Sequence, residues 1–148
     1  MREILFRGKS IDNGKWIYGG YFHLHKTTYC FAGDDDGNND IHRIVFERMT
    51  DWNLPNQHMM ADVLPETVGQ YTGLTDKNGV RIFEGDIVTG YFNHEKIVGY
   101  IFYGGNAQFF IQRDGIYGIG LDNSDCWLEV IGNIHDNLGL LEGGEGNG

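Results

Sequence analysis

The segment KWIYGGYFHLH, residues 15–25, decides the fold class, and it directly follows the tripeptide Asp12-Asn13-Gly14. Large side chains recur at every second position, and a β-strand requires this period of two because successive residues point to opposite faces. An Asn-Gly pair favours a tight hairpin, since both central residues of a type I′ turn need a positive φ. We therefore predict that residues 15–25 form a strand and that Arg2 to Arg7 form its hairpin partner.

Short apolar segments separated by Gly, Asn and Asp continue along the rest of the chain. Asn78-Gly79 predicts a second hairpin with a type I′ turn, and Arg113-Asp114-Gly115 predicts a third turn. Further strands are predicted at residues 70–74, 80–83, 87–91, 97–103, 109–112, 116–121 and 128–134. Only Asn53 to Val63 is long enough for a helix, and we expect a short helix there or none. The spacing is typical of a mostly β protein whose short antiparallel strands form a barrel or a sandwich.

The length of the chain, 148 residues, fits one domain. No internal repeat or linker divides it, so we predict a single β-rich domain over residues 1–141. Within this domain the acidic segment Gly33 to Asp40 is the weakest boundary and is predicted to be a mobile loop. It would separate an amino-terminal β unit, residues 1–62, from a second unit over residues 68–138. Residues 142–148, EGGEGNG, lack apolar side chains and are predicted to be a disordered tail.

The composition is acidic: Lys and Arg total 11, Asp and Glu total 21, and the formal net charge is −10. Because contacts from Lys and Arg to phosphates dominate the affinity for nucleic acids, this balance argues against DNA or RNA as a partner. No apolar run approaches the roughly 20 residues that span a bilayer, and no charged-then-apolar leader opens the sequence. These features predict a soluble cytoplasmic protein in which Cys30 and Cys126 are free, mostly buried thiols.

His23 and His25 are two residues apart on the predicted strand, so both side chains lie on one face of it. Paired histidines can bind zinc, but a zinc site needs at least a third ligand, and the neighbouring sequence supplies none. The histidines that could join this pair only through the tertiary fold are His42, His58, His94 and His135. The sequence therefore predicts an exposed histidine face on an edge strand, without a metal.

Two acidic segments suggest other kinds of site. Asp34 to Asp40 clusters oxygen ligands of the kind that calcium prefers, but Asn39 stands where an EF-hand has its glycine and Val45 where it has its glutamate. A solvated acidic loop is the expectation here, and a weak calcium site is the alternative. Glu84 and Asp86 could form a catalytic carboxylate pair, although carboxylates in turns commonly accept hydrogen bonds from nearby backbone amides.

Recognisable catalytic motifs are missing from the sequence. It contains no phosphate-binding loop of the type GxxxxGK[ST] or GxGxxG. The GxSxG signature of serine hydrolases and the HExxH signature of zinc proteases are also missing. We therefore expect no cofactor, no catalytic residue and no resident metal, and we favour a protein that is not an enzyme.

Three stretches of the sequence resemble the YopX-like proteins of phages and prophages. The first is FRGK at residues 6–9, followed by Trp16 and Tyr18-Gly19. The second runs from Pro65 to Val88 and contains GQYTGL and FEGDIV. The third is EVIGNIHDN at residues 129–137. The resemblance implies a phage or prophage origin, a location in the cytoplasm of the host bacterium, and an all-β fold with an SH3-like barrel part over residues 68–138. The family has no established activity, so the resemblance implies no functional residues.

Aromatic residues are numerous, with 3 Trp, 8 Tyr and 9 Phe. A small barrel has too little interior to enclose them all, and tyrosine is enriched at protein interfaces. The candidate interaction surface consists of Tyr18, Tyr21, Tyr91, Tyr100, Tyr103 and Tyr117, although the same side chains could equally line the core. We predict a non-catalytic protein-interaction module that forms a homo-oligomer or binds a host or phage protein. The alternative is an SH3-like module that binds nucleic acid in phage replication or recombination.

Overall fold

A computed structural model describes residues 2–25, 40–50, 54–113 and 116–141. Eleven strands with defined bounds make up most of this part of the chain, and the helical elements with defined bounds are a 3₁₀ turn at Pro65–Thr67 and α1 (Ser124–Trp127). All the assigned strand pairs within the two units described below are antiparallel. The prediction of a mostly β protein with short antiparallel strands is confirmed. The chain separates into two compact units, Leu5–Val68 and Gly69–Gly148 with Met1–Ile4.

The amino-terminal unit contains four strands in the order β4-β3-β2-β1: β1 (Phe6–Lys9), β2 (Trp16–His25), β3 (Asp40–Arg48) and β4 (Gln57–Asp62). β2 confirms the strand that was predicted at residues 15–25. Its predicted partner, Arg2 to Arg7, begins too early, because the observed register pairs Phe6 with Gly19 and Lys9 with Trp16. The connecting loop, residues 11–14, has a positive φ at Gly14 but not at Asn13, so it is not the expected type I′ turn.

The amino-terminal sheet curls until its two outer strands meet at one end. The backbone N–H of Leu64 donates to the carbonyl of Lys9 at 2.9 Å, and Ser10 forms an antiparallel bridge with Val63. Val63 and Ile44 are fully buried in this unit, with exposed fractions of 1% and 0%. The contacts that join the outer strands therefore enclose a small core within Leu5–Val68.

β4 lies within the segment Asn53 to Val63, where the sequence allowed a short helix. Of the two expectations, a short helix or none, the described residues 54–63 confirm the second, because β4 pairs with β3 over its whole length, from Arg43 opposite Asp62 to Arg48 opposite Gln57. The pairing satisfies backbone N–H and C=O groups that a helix would otherwise satisfy internally. β4 is the edge strand of the order given above.

The carboxyl-terminal unit contains a hairpin and a five-stranded sheet. The hairpin is β5 (Gly69–Thr75) with β6 (Arg81–Phe83), and the sheet has the order β10-β9-β8-β7-β11. Its strands are β7 (Asp86–Phe92), β8 (Glu95–Tyr103), β9 (Phe109–Arg113), β10 (Ile116–Gly120) and β11 (Glu129–Asn133). The core cluster consists of Ile82, Val88, Ile97, Ile101, Ile111, Ile119, Leu121 and Leu128. Among the described strands, β10 and β11 stand at opposite edges, so this sheet is open and not a closed barrel.

The hairpin between β5 and β6 turns at Asp76–Val80. The backbone N–H of Gly79 donates to the carbonyl of Asp76 at 3.0 Å, and the N–H of Asp76 donates to the carbonyl of Val80 at 2.8 Å. Gly79 has a φ of 79°, but Asn78 does not have a positive φ, so the predicted type I′ turn is wrong. The pattern matches a three-residue hairpin loop that ends on a residue with positive φ. The Asp76 carboxylate favours this longer loop by accepting the N–H groups of Asn78 and Val80.

Gly79→Val is expected to lower the free energy of unfolding by about 1 to 3 kcal/mol, because a β-branched residue is strained at a positive φ. A Cβ at Gly79 would meet no atom within 4 Å, so the cost comes from the backbone alone. Gly105→Val is the matched control, since a Cβ there also meets nothing and its φ is not positive. Urea unfolding of both variants measures the difference. Equal midpoints would show that Gly79 carries no conformational strain.

Four sequence predictions lie outside the described residues: Cys30, the loop at 33–39, the turn at 114–115 and the tail at 142–148. Cys126 is described and is exposed, so the expectation of a buried thiol is wrong for this residue. It lies on the single turn of α1, from which only Ser124 is buried. The described part of the chain contains no helix that is both long and apolar enough to cross a membrane.

Candidate functional site

The histidine pair of β2 lies beside two further polar side chains that β3 supplies. The register pairs His23 with His42 and His25 with Asp40. Directly opposed residues of an antiparallel pair lie on the same face of a sheet. These four residues, which we call the histidine face (His23, His25, Asp40 and His42), therefore lie together. In the described pairing β1 contacts β2 over Trp16 to Gly19, so the part of β2 that carries His23 and His25 pairs with β3 alone, as an edge strand does.

The histidine face is joined by short polar contacts. His23 Nε2 lies 2.7 Å from Asp40 Oδ2, and His25 Nδ1 lies 2.5 Å from Asp40 Oδ1. The rings of His23 and His42 stack with their centroids 4.3 Å apart. The hydroxyl oxygen of Tyr21 lies 2.6 Å from His42 Nδ1. One ring nitrogen or carboxylate oxygen from each of His23, Asp40 and His42 lies within 4.8 Å of the other two.

Protonation states on the histidine face follow from these contacts. The hydrogen bonds with His25 and then His23 hold the pKa of Asp40 below its usual range, so this carboxyl is ionised at neutral pH. Burial, and then the charge of Asp40, raises the pKa of Tyr21, so the phenol keeps its proton. The side chains of His23, His25 and Asp40 are 47%, 64% and 40% exposed, which leaves the charged carboxylate and the imidazoles open to dissolved ions.

Sequence reasoning missed Asp40 and His42 as neighbours of the histidine pair. Asp40, His42 and Ile44 lie at every second position and therefore share one face of the strand. The sequence did not indicate a strand here, because the other face, with Ile41, Arg43 and Val45, also mixes apolar and charged side chains. His58 lies on β4 opposite Glu47, on the face away from His42. His94 and His135 belong to the other unit. The fold therefore adds one histidine and one carboxylate to the predicted pair.

The six predicted tyrosines are divided between the two units, with Tyr18 and Tyr21 in one and the other four in the second. Tyr18 and Tyr21 are three apart on β2, so they lie on opposite faces. Tyr91 and Tyr103 are 70% and 52% exposed, but the register of β7 with β8 places them near opposite ends of that hairpin. Tyr100 is half-buried beside Phe102, and the side chain of Tyr117 lies outside the described part. Within each unit, the described tyrosines therefore do not all share one face.

The face of β2, β3 and β4 that is opposite to the histidine face carries clustered apolar side chains. We call it the apolar face, and its members are Tyr18, Phe22, Leu24, Ile41, Val45 and Met60. Leu24 and Met60 are 54% and 56% exposed. Leu24 lies opposite Ile41, and Val45 lies opposite Met60, so apolar side chains occur on the same face of all three strands. An ion pair crosses this surface, with Arg43 Nε donating to Asp62 Oδ1 at 2.8 Å.

The predicted carboxylate pair, Glu84 and Asp86, lies where the chain turns from β6 into β7. Asp86 is 2% exposed, and its Oδ2 accepts the backbone N–H of Phe83 at 2.8 Å. Glu84 Oε1 accepts the backbone N–H of Gln70 at 3.4 Å. Both carboxylates therefore bond to backbone amides, and these bonds hold the turn between the two strands.

The described residues define an antiparallel β protein of two units with an exposed histidine face. A family model described as YopX protein matches residues 5–142, and the chain therefore belongs to the YopX family. The crystal structure of protein EF1440 from Enterococcus faecalis is similar, with a TM-score of 0.50, 24% sequence identity, and coverage of 95% of this chain and 99% of that chain. At this identity the similarity shows a shared fold. No protein of curated function matches the chain.

Proposed function

We propose that this YopX-family protein is a non-catalytic protein-interaction module that acts in the cytoplasm of a phage- or prophage-carrying bacterium and self-associates through the apolar face. The observation that carries the proposal is the exposure of apolar side chains across three adjacent strands, with Leu24 and Met60 both more than half exposed. Clustered apolar surface of this kind commonly marks an interaction site on a soluble protein. Covering it removes apolar area from water, which contributes about 25 cal/mol per Å².

A second copy of the chain fits this face because the face is self-complementary in charge. It presents the ion pair of Arg43 and Asp62 side by side, with Glu47 and His58 opposite each other near one end of the same face. Under a two-fold axis each patch meets its own copy, so Arg43 of one copy can approach Asp62 of the other while the apolar side chains meet between them. The net charge of −10 opposes association. Dissolved salt weakens this repulsion, because charges farther apart than the Debye length, about 8 Å at physiological salt, are largely screened.

Sedimentation equilibrium tests the proposed self-association. The wild-type chain is expected to form a dimer at micromolar concentration, with twice the monomer mass of 16.8 kDa. Leu24→Lys with Met60→Lys is expected to give the monomer, because both lysines would carry charge into the apolar contact.

Tyr91→Lys is the matched control for this experiment, since Tyr91 is 70% exposed but lies in the other unit. This variant is expected to remain a dimer. A monomeric wild-type protein would contradict the proposal. Dissociation by Tyr91→Lys alone would place the interface on the predicted tyrosine surface and not on the apolar face.

A further inference from the structure

We propose that the histidine face binds a divalent transition-metal ion of the zinc class, with His23, Asp40 and His42 as ligands and with His25 and Tyr21 as positioning residues. These side chains lie on the face of β2 and β3 that is opposite to the apolar face. The metal site therefore does not depend on the proposed self-association.

The donor set selects the class of ion. Two imidazole nitrogens and one carboxylate oxygen are ligands that Zn²⁺ accepts, and three protein ligands leave a fourth position for water or for a group from a partner. Ca²⁺ and Mg²⁺ prefer oxygen ligands in larger numbers, so they fit this face poorly. Imidazole suits zinc, copper and nickel among the first-row metals.

The distances fit an ion after small side-chain rotations. Bonds of about 2.0 to 2.2 Å in a tetrahedral site place the ligand atoms about 3.4 Å from one another. His23 Nε2 and Asp40 Oδ2 are now 2.7 Å apart, and the three donor atoms lie within 4.8 Å of one another. His23 Nε2 and Asp40 Oδ2 have to separate slightly, and the donor atom of His42 is already within 4.8 Å of both. The exposure of His23 and Asp40, 47% and 40%, allows this movement without a change in the core.

Two contacts orient the ligands in advance. Tyr21 lies against His42 Nδ1, which leaves Nε2 of that ring to bind the metal. In the bound state His42 Nδ1–H then donates to the Tyr21 oxygen, as the second ring nitrogen of a metal-binding histidine usually donates to an oxygen acceptor. His25 holds Asp40 Oδ1 and leaves Oδ2, beside His23, for the metal.

Fold stability alone does not account for this cluster. Ion pairs between exposed side chains contribute little to stability. The rings of His23 and His42 are stacked side by side, so their ring nitrogens lie close together. A bound cation gives both rings a common partner, and it links β2 to β3 at the ends where the two strands meet the segment 26–39.

Isothermal titration of tag-free, chelator-treated protein with ZnCl₂ tests the site. One Zn²⁺ per chain is expected, and CoCl₂ is expected to give the visible absorption of tetrahedral cobalt. His23→Ala and His42→Ala should each lower the Zn²⁺ affinity by at least tenfold, and Tyr21→Phe should lower it by about tenfold. His42→Cys should restore binding relative to His42→Ala, since a thiolate is also a zinc ligand.

His58→Ala and His94→Ala are the matched controls, because both histidines are exposed, His58 lies on the opposite face of the sheet, and His94 belongs to the other unit. Their Zn²⁺ affinity should equal that of the wild-type chain, and so should that of the Leu24→Lys Met60→Lys chain. This last variant separates a failure of the metal site from a failure of the self-association. If the wild-type chain does not bind one Zn²⁺ ion, the proposed site is wrong. Unchanged affinity in His23→Ala and His42→Ala, or equal binding of Ca²⁺, would overturn it as well.

Discussion

Asp76→Ala is expected to lower the free energy of unfolding by about 3 to 5 kcal/mol, since it removes a buried charged acceptor from several backbone donors. Asp76 is 1% exposed. Its Oδ1 accepts the N–H groups of Asn78 and Val80, both at 2.9 Å, and its Oδ2 accepts the N–H of Val130 at 2.9 Å. The side chain therefore ties the β5–β6 hairpin to the first half of β11. A loss of this size approaches the total stability of a small domain, which is about 5 to 15 kcal/mol.

Asp76→Asn separates the two hydrogen bonds at Oδ1 from the one at Oδ2. An amide can keep the two bonds at Oδ1, but it presents an NH₂ group to the N–H of Val130, where two donors then face each other. We expect a smaller loss of about 1 to 3 kcal/mol. Asp12→Ala, at an exposed position in the loop after β1, is the control and should change stability by less than about 0.5 kcal/mol. Urea unfolding followed by circular dichroism gives all three values. A loss for Asp76→Ala no larger than that for Asp12→Ala would refute the role of the carboxylate.

Gly19→Ala is expected to destabilise the amino-terminal unit by about 3 kcal/mol or more, because the new methyl group has no space. A Cβ at Gly19 would lie 1.9 Å from the carbonyl oxygen of Val45 on the neighbouring strand. The obstacle is backbone, so no side-chain rotation relieves it. β2 and β3 would have to separate at the end of their pairing, where Gly20 lies opposite Val45.

Gly20→Ala provides a control one residue away on the same strand. A Cβ at Gly20 meets no atom within 4 Å, so this variant should be neutral or slightly stabilising through the loss of glycine flexibility in the unfolded chain. Thermal unfolding of the pair measures the contrast. Similar transition midpoints for the two variants would mean that β2 and β3 are farther apart at Gly19 than the structure shows.

Local patterns predicted the parts of the fold that depend on neighbouring residues in the sequence. The alternation in residues 15–25 and 97–103 identified β2 and β8, because one strand face there is richer in large apolar groups. β3 was not predicted, because both of its faces mix apolar and charged residues. Asn78-Gly79 marked a turn correctly but suggested the wrong type, since the sequence pattern does not show the bonds that Asp76 makes with Asn78 and Val80.

The sequence predicted two of the four residues of the histidine face. The period of two places His23 and His25 on one face, and this placement follows from β2 alone. His23 and His25 lie opposite His42 and Asp40 because of the register between β2 and β3. The sequence of the intervening residues 26–39 does not indicate this register. A shift of one residue in that register would turn His42 and Asp40 to the other face. The histidine face is therefore a property of strand pairing and not of a local motif.

The contact between the outer strands of the amino-terminal unit constrains the order of events during synthesis on the ribosome. Lys9 and Ser10 are made early, but their partners Leu64 and Val63 are roughly fifty residues later in the chain. At about 5 to 20 residues per second, the early hairpin waits for several seconds before these partners are made. During this interval the apolar side chains of β1 and β2 lack the cover that β3 and β4 later give them. The nascent chain therefore exposes apolar surface that the finished unit buries in part.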